Sequence, residues 1–197
     1  MDKIPTRDRI LNSALNLFSE KGYDGVGVDL IAENAGIKGP SLYKHFRGKE
    51  EILDALIEKA DGYYQANFGS VNNPGELPSS MEELTELSLK RIQFTLHDPM
   101  IKKVRRMLAM EQFRSSKIAQ LATKYNMDCV QEIYRKIFTE LIANGIMRKC
   151  DPELASLIYA APALLLIHMC DREPEREKEA MKRIESFFCY FAEEYKS

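Results

Sequence analysis

The segment from Ile37 to Lys49 concentrates the side chains that could contact a polyanion. It contains four lysine or arginine residues, a serine, a tyrosine and a histidine, but no aspartate or glutamate, in a chain whose formal net charge is -2. Cationic groups bind phosphate oxygens, hydroxyl groups donate to the same oxygens, and small residues let a backbone approach a groove. The pattern therefore predicts contact with the phosphates and base edges of DNA.

Two short helices are expected to carry this segment. Apolar residues at helical spacing predict a first helix over residues 28–35, which a glycine closes. Pro40 suits the first position of a second helix of about seven residues, and Leu42 and Phe46, four residues apart, supply its inner face. Two short helices joined by a glycine-containing turn form a helix-turn-helix, whose second helix enters the major groove.

The outer face of the second helix follows from this placement. With Leu42 and Phe46 turned inward, Lys44 lies almost opposite them, and Pro40 and Ser41 lie beside it. The outer face is thus small, cationic and rich in hydrogen-bond donors. Charge alone would fit an ordinary solvated surface, so the combination of helix lengths, glycine turn and apolar inner face is what favours DNA binding.

The rest of the chain shows apolar stripes of helical period and no sustained alternation of the kind that marks strands. We therefore predict an all-α fold of about nine helices. Thr6 is expected to cap the first helix and Gly22 to end it, and the segment 69–79 is expected to be a loop. The remaining helices are predicted at about 6–21, 49–68, 80–97, 99–113, 116–143, 152–170 and 174–195.

Several short runs resemble the N-terminal domain of the tetracycline-repressor (TetR) family of transcriptional regulators. They are Gly22-Tyr23, IAENAGI over residues 31–37, LYKHF over 42–46 and KEEIL over 49–53. The resemblance covers about the first 55 residues, and the remainder is similar only in helical layout. It implies an all-helical homodimer, usually a repressor, that leaves its operator when a small molecule binds the C-terminal domain.

The resemblance also assigns domains and DNA contacts. It implies a helix-turn-helix domain over residues 1–48 and an effector-binding and dimerisation domain over 49–197, with a helix at about 49–68 connecting them. Gly27 stands where the family commonly has a capping Ser or Thr, which weakens that cap, and a lysine replaces a commoner Ser at position 38. By position, the DNA-contacting roles fall on Lys38, Gly39, Pro40, Ser41, Tyr43, Lys44, His45 and Lys49.

The last two predicted helices expose more apolar surface than one subunit needs to cover. The uncharged run 154–170 is shorter than the ~20 residues of a membrane span and contains Pro162 and His168. Pairing residues 152–170 and 174–195 with their symmetry mates in a four-helix bundle would cover this surface. We therefore expect a homodimer through these two segments, and no membrane association.

Aromatic and methionine side chains between these regions are candidates for an effector site. Such residues form adaptable pockets for small molecules, although plain core packing explains the same pattern. The set offers one imidazole and two phenols but no charge, so a small, largely apolar effector is expected, with His97 as its polar anchor. The candidate residues are Phe94, His97, Met110, Phe113, Tyr134 and Tyr159.

Other functions find less support. No recognisable nucleophile and base, phosphate loop or metalloprotease motif is present, so an enzyme is not expected, and neither is a cofactor. The four cysteines are widely spaced and are expected to be buried thiols, and His168 and Cys170 point to different sides of a helix, so no metal site is expected. A metal- or redox-responsive regulator, and a helix-turn-helix interaction module without DNA binding, remain alternatives. The N-terminus lacks the pattern of a signal peptide, so a cytoplasmic protein is expected.

Overall fold

The computed structural model describes residues 4–69 and 77–197, and over these residues the fold is all-α, as predicted. Seven of the predicted loop residues, 70–76, lie outside the described part. The α-helical segments are α1 Thr6–Lys21, α2 Val28–Asn34, α3 Gly39–Leu42, α4 Lys49–Phe68, α5 Met81–His97, α6 Pro99–Glu111, α7 Ser116–Thr123, α8 Cys129–Ala143, α9 Pro152–Arg172 and α10 Glu177–Tyr195.

The number of helices depends on how α7 and α8 are counted. A π-helical turn, Lys124–Asp128, joins them without interruption. The predicted helix over residues 116–143 is therefore continuous along the chain. On this count the described residues contain nine helices, in agreement with the prediction.

The second helix of the helix-turn-helix is shorter than predicted. The α-helical part covers only Gly39–Leu42, and Tyr43 is already the C-cap residue, with a φ of -67° and a ψ of -11°. The next residues form turns, in which the Phe46 N–H still donates to the Leu42 carbonyl at 3.0 Å. The predicted inner face is nevertheless correct, because Leu42 and Phe46 are both buried.

The two ends of α1 show one wrong and one correct prediction. Thr6 is the first helical residue and not the N-cap; Pro5 occupies the cap position and provides no side-chain hydrogen bond. At the other end, Gly22 has a φ of 78°, a conformation that side chains with a Cβ rarely adopt. Its N–H donates to the Phe18 carbonyl, which closes the last turn.

The chain divides into two compact units. The first combines the described residues up to Tyr64 with Pro99–Ala122, and the second combines Gln65–Asp98 with Thr123–Ser197. Packing thus joins α6 and α7 to the helix-turn-helix, whereas the predicted boundary after residue 48 concerns function and stays a prediction.

In the first unit, α1 packs against both α2 and α6, and α2 packs against α3. Burying these apolar side chains stabilises helices that are too short to persist alone. The largest side chains in this core are Ile10, Leu11, Phe18, Ile31, Leu42, Ile52 and Leu53.

The core of the second unit is aromatic and is built from α5, α8, α9 and α10. The Tyr159 ring stacks on Phe188 with a centroid separation of 4.5 Å and meets Phe191 edge-on at 4.7 Å. Phe138 joins the same cluster, since its ring centroid lies 5.4 Å from that of Tyr159. Offset and edge-on pairs of this kind add to the stabilisation that burial alone provides.

Candidate nucleic-acid interface

Most of the predicted DNA contacts lie on an exposed surface. Lys38, Pro40, Tyr43, Lys44 and His45 are exposed, and the Tyr43 side chain is 57% accessible. Gly39 and Ser41 are half-buried beside them. The structure therefore brings seven of the eight predicted residues together around α3, with their polar groups accessible to a ligand.

The turn between α2 and α3 is held from within the first unit. Gly36 has a φ of 66°, and the Ile37 N–H donates to the Ala32 carbonyl at 3.0 Å. Arg9 of α1 donates to the Ala35 carbonyl and, at 3.1 Å, to the Gly36 carbonyl. Sequence reasoning missed Arg9, because its two partners lie 26 and 27 positions further along the chain and such a distant contact leaves no local pattern.

Gly39 lies close to a carboxylate of α2. A Cβ placed on Gly39 would be 3.2 Å from Oδ1 of Asp29, an exposed residue in the first turn of α2. A larger residue at position 39 would require this exposed carboxylate to shift by a few tenths of an ångström. The predicted role of Gly39 at the groove stays a prediction.

Lys49 differs from the other predicted contacts because its ammonium is engaged within the protein. The Nζ donates to the Tyr23 carbonyl at 2.8 Å and lies 4.2 Å from the centroid of the Tyr23 ring. That ring meets Phe18 edge-on at 5.1 Å. Partial burial, followed by the charge of Glu50, raises the pKa of Tyr23. The predicted phosphate contact of Lys49 stays a prediction.

The acidic residues at the start of α4 have partners of their own. Glu51 Oε2 accepts from the Arg47 N–H at 2.5 Å. Lys117 of α7 binds both Glu50 and Asp54, at 3.0 and 2.7 Å, and the hydrogen bond to Asp54 raises the pKa of Lys117. These exposed ion pairs contribute little stability, and the single Lys117 ammonium offsets only part of the negative charge of the two carboxylates.

Two of the predicted effector contacts meet in the core of the second unit. The hydroxyls of Tyr134 and Tyr159 both donate to Ser88 Oγ, at 3.0 and 2.9 Å, and the ring centroids are 4.8 Å apart. Burial is the main reason that the pKa of Tyr159 lies well above its ordinary value. Ser88 was missed by sequence reasoning, since a lone serine on a helix carries no signal.

The other predicted effector contacts occupy different surroundings. His97 is exposed, and its Nε2 lies 2.8 Å from Oε1 of Glu177. Phe94 packs edge-on against Phe68 with a centroid distance of 4.9 Å. Met110 and Phe113 belong to the first unit, where Phe113 is 91% exposed. Of the six residues, Tyr134 and Tyr159 are in direct ring contact, and the effector role of the whole set stays a prediction.

The described residues can also be compared with what a metal site or a reactive thiol would require. Among residues 4–69 and 77–197, no three His, Cys, Asp or Glu residues cluster as they would around a metal ion. Cys170 is buried and Cys129 and Cys150 are half-buried, but Cys189 is exposed, so the expectation that all four thiols are buried was wrong. Cys189 lies on the exposed side of α10, and the sequence alone did not distinguish this side of the helix from the side that faces the core.

One helix has the composition of a membrane span. Within the described residues, α9 alone is long and apolar enough to cross a bilayer, and 44% of its most apolar 18-residue stretch is buried inside the protein. Core helices of water-soluble proteins can have the same length and composition. The helix is thus weak evidence for a membrane location.

Comparison with known proteins links this architecture to transcriptional regulators. Residues 10–56 match the family model described as bacterial regulatory proteins, tetR family. The negative transcriptional regulator IcaR of the biofilm operon icaADBC in Staphylococcus epidermidis is 32% identical over 125 residues, a match that covers 49% of this chain and 68% of IcaR. IcaR of Staphylococcus aureus strain Newman is 46% identical over 52 residues, which cover 26% of this chain and 28% of that protein.

A solved structure extends the likeness to nearly the whole chain. SmeT, the repressor of the Stenotrophomonas maltophilia multidrug efflux pump SmeDEF, superimposes with a TM-score of 0.74. The superposition covers 98% of this chain and 92% of SmeT, at 19% identity. At that identity the likeness shows a shared fold.

Proposed function

Because this chain belongs to the TetR family of bacterial transcriptional regulators, we propose that it represses transcription as a homodimer on a palindromic operator and leaves the operator when a small, largely apolar molecule binds. Its general role as a DNA-binding regulator, and not an enzyme, follows from the family. The mode of assembly, the effector and a cytoplasmic location belong to the proposal.

The observation that carries the proposal is the exposed face of α3 and of the residues beside it, in a segment, 38–49, that contains no aspartate or glutamate. Lys38 and Lys44 supply charge there, Tyr43 and Ser41 supply hydroxyl groups, and Leu42 holds the helix on the core. Lysine reads guanine O6 and N7 or binds phosphates, and hydroxyl groups bind phosphate oxygens. A helix that packs on the core through one face and exposes cationic side chains on the opposite face is suited to the major groove.

Exposed apolar side chains on α9 support the dimer. Leu165 is 67% exposed and Leu154 is 54% exposed, while Leu157 and Ile158 each expose 40% of their surface. Tyr190 of α10 is likewise 60% exposed. A contiguous apolar surface of this kind in a water-soluble protein marks an association site, and a twofold axis would pair α9 and α10 with their copies.

The aromatic core of the second unit supports an apolar effector. Tyr134 and Tyr159 place two hydroxyl groups on Ser88 within a largely apolar cluster, and the Arg91 guanidinium lies 5.8 Å from the centroid of the Tyr134 ring. Apolar walls with a few fixed polar groups are typical of small-molecule sites. The related S. epidermidis protein is a negative regulator, which favours repression over activation in this chain.

The operator can be found by selecting bound sequences from a random pool of duplex DNA. We expect two inverted half-sites whose centres lie about 34 to 36 Å apart, or a near multiple, because each subunit presents one α3 to a major groove. Recovery of asymmetric sites by a monomeric protein would contradict the proposal.

The effector is then tested by reciprocity. A ligand that lowers operator affinity by a given factor must itself bind more weakly, by the same factor, when the operator is present. We expect a factor of ~5 to 150, the usual range of such coupling. An apolar aromatic ligand whose affinity does not change on adding operator would contradict release by that ligand.

A further inference from the structure

The last residue of α6 is a buried carboxylate with an unpaired oxygen. Glu111 is 1% exposed, and its Oε2 atom is buried without a hydrogen-bond partner among the described residues. An ionised carboxylate can accept about four hydrogen bonds, and burying one without donors opposes folding. An atom of this kind in a folded protein calls for a physical explanation.

The carboxylate lies directly against Gly22, where α1 ends. A Cβ on Gly22 would be 2.2 Å from Glu111 Oε1 and 3.9 Å from Cε of Met110. The glycine therefore satisfies two requirements, a positive φ and the room that the carboxylate takes up. No other residue type at position 22 would leave Glu111 where it is.

The electrostatic surroundings of Glu111 favour a cation. Both α1 and α6 end at this point, and the last carbonyl groups of a helix carry partial negative charge. Arg114 comes nearest to pairing with the carboxylate, but its Nη1 is 3.7 Å from Oε1, beyond hydrogen-bond distance, and its side chain is 68% exposed. Arg114 thus forms a long ion pair with Oε1, and Oε2 stays buried without a hydrogen-bond partner among the described residues.

We propose that Glu111 anchors an organic cation that carries N–H groups on an apolar body, such as an amidinium or a primary ammonium. The ligand's N–H groups would bind Oε1 and Oε2 after the exposed Arg114 side chain swings aside. Met110 and Phe113, which are 39% and 91% exposed, flank Glu111 in sequence and would cover the apolar body. The site depends neither on DNA binding nor on the effector residues in the second unit.

The chemistry argues against two other occupants. A metal ion would need further ligands, and no cluster of three or more His, Cys, Asp or Glu residues occurs in the described part of the chain. A quaternary ammonium ion would supply charge but no hydrogen-bond donor, so it would leave Oε2 unsatisfied. A cation with N–H groups meets both needs.

Benzamidine and benzamide are matched probes, because they share size and shape but only benzamidine is charged. Calorimetric titration of the full chain should show 1:1 binding of benzamidine and much weaker binding of benzamide. Glu111→Gln should weaken benzamidine binding at least about tenfold, since a charge-assisted hydrogen bond is lost. Glu140→Gln, at an exposed position on α8, should leave it unchanged.

A second variant keeps the test decisive if Glu111→Gln disturbs folding. Arg114→Ala retains the carboxylate and removes the competing guanidinium at an exposed position, so it should strengthen benzamidine binding. Equal binding of the two probes, or an Arg114→Ala variant that binds benzamidine no better than the original chain, would overturn the proposal.

Discussion

The Lys49 ammonium donates to the Tyr23 carbonyl at 2.8 Å and lies 4.2 Å from the centre of the same residue's ring. The first residue of α4 is thereby fixed to the loop that follows α1. A lysine that resembles a phosphate contact by its position therefore also joins the start of α4 to the end of α1 in this structure.

The double role of Lys49 can be separated by experiment. Lys49→Ala should lower the free energy of unfolding by about 1 to 2 kcal/mol, because a hydrogen bond and a cation–π contact are lost. If Lys49 also contacts a phosphate, the slope of log K against log salt should fall by about 0.9. Urea unfolding and DNA titrations at several salt concentrations measure the two effects.

The exposed Lys149, between α8 and α9 and outside the proposed dimer segments, provides the control for this experiment. Lys149→Ala should change neither unfolding nor the salt slope. An unchanged unfolding free energy in Lys49→Ala would show that the contact with Tyr23 contributes nothing, and an unchanged slope would remove the phosphate role.

The buried hydroxyl cluster should be sensitive to loss of its shared acceptor. Ser88→Ala leaves the hydroxyls of Tyr134 and Tyr159 without their partner in an apolar core, so unfolding should become easier by about 1 to 3 kcal/mol. In a Tyr134→Phe, Tyr159→Phe background the same change should cost much less. Urea unfolding of the original chain, Ser88→Ala, the double Tyr→Phe variant and the triple variant measures this. If the losses of unfolding free energy were additive, the three hydroxyl groups would not be coupled.

Alkaline pH should weaken the fold through Tyr159. Its pKa is raised in the folded protein, chiefly by burial, so the unfolded chain releases the phenol proton first. The contribution is fully present below the ordinary tyrosine pKa of about 10 and is lost as pH rises above it. Unfolding measured between pH 9 and 11, a range of about one unit either side of that value, should show a smaller loss of stability in Tyr159→Phe. Equal losses in both proteins would contradict this assignment.

A charge on the exposed face of α9 should prevent dimer formation. Leu165 is 67% exposed, so Leu165→Asp should leave the subunit folded and place a carboxylate in the proposed seam. Leu77→Asp, at a position 45% exposed and outside α9 and α10, is the matched control. Sedimentation should give a monomer for Leu165→Asp alone, with loss of DNA binding. A dimeric Leu165→Asp would place the interface elsewhere.

Local patterns predicted the long helices well. The bounds of α1 and α4 follow from apolar stripes that end at glycines, and the buried Leu42 and Phe46 follow from their spacing. The length of α3 could not be predicted in this way, because the helix ends at Leu42 although the apolar spacing continues to Phe46.

Contacts between distant residues account for most of what the sequence did not reveal. Arg9 meets the α2–α3 turn across 26 residues, and Glu111 meets Gly22 across a still longer separation. His97 is a further example: nothing in the sequence indicated that its imidazole pairs with Glu177, 80 residues away, and its role as an effector anchor stays a prediction. The type of a side chain suggests which contacts it can make, and the folded structure shows which of them it makes.

The central claim is that α3 reads DNA, and Lys44→Ala tests it most directly. On the operator selected by the original chain, this variant should bind about 1 to 3 kcal/mol more weakly and should lose base preference at one position of each half-site. Lys149→Ala, at an exposed position outside the proposed dimer segments, should bind as the original chain does. Undiminished affinity and unchanged base preference in Lys44→Ala, with the fold intact by circular dichroism, would contradict the account.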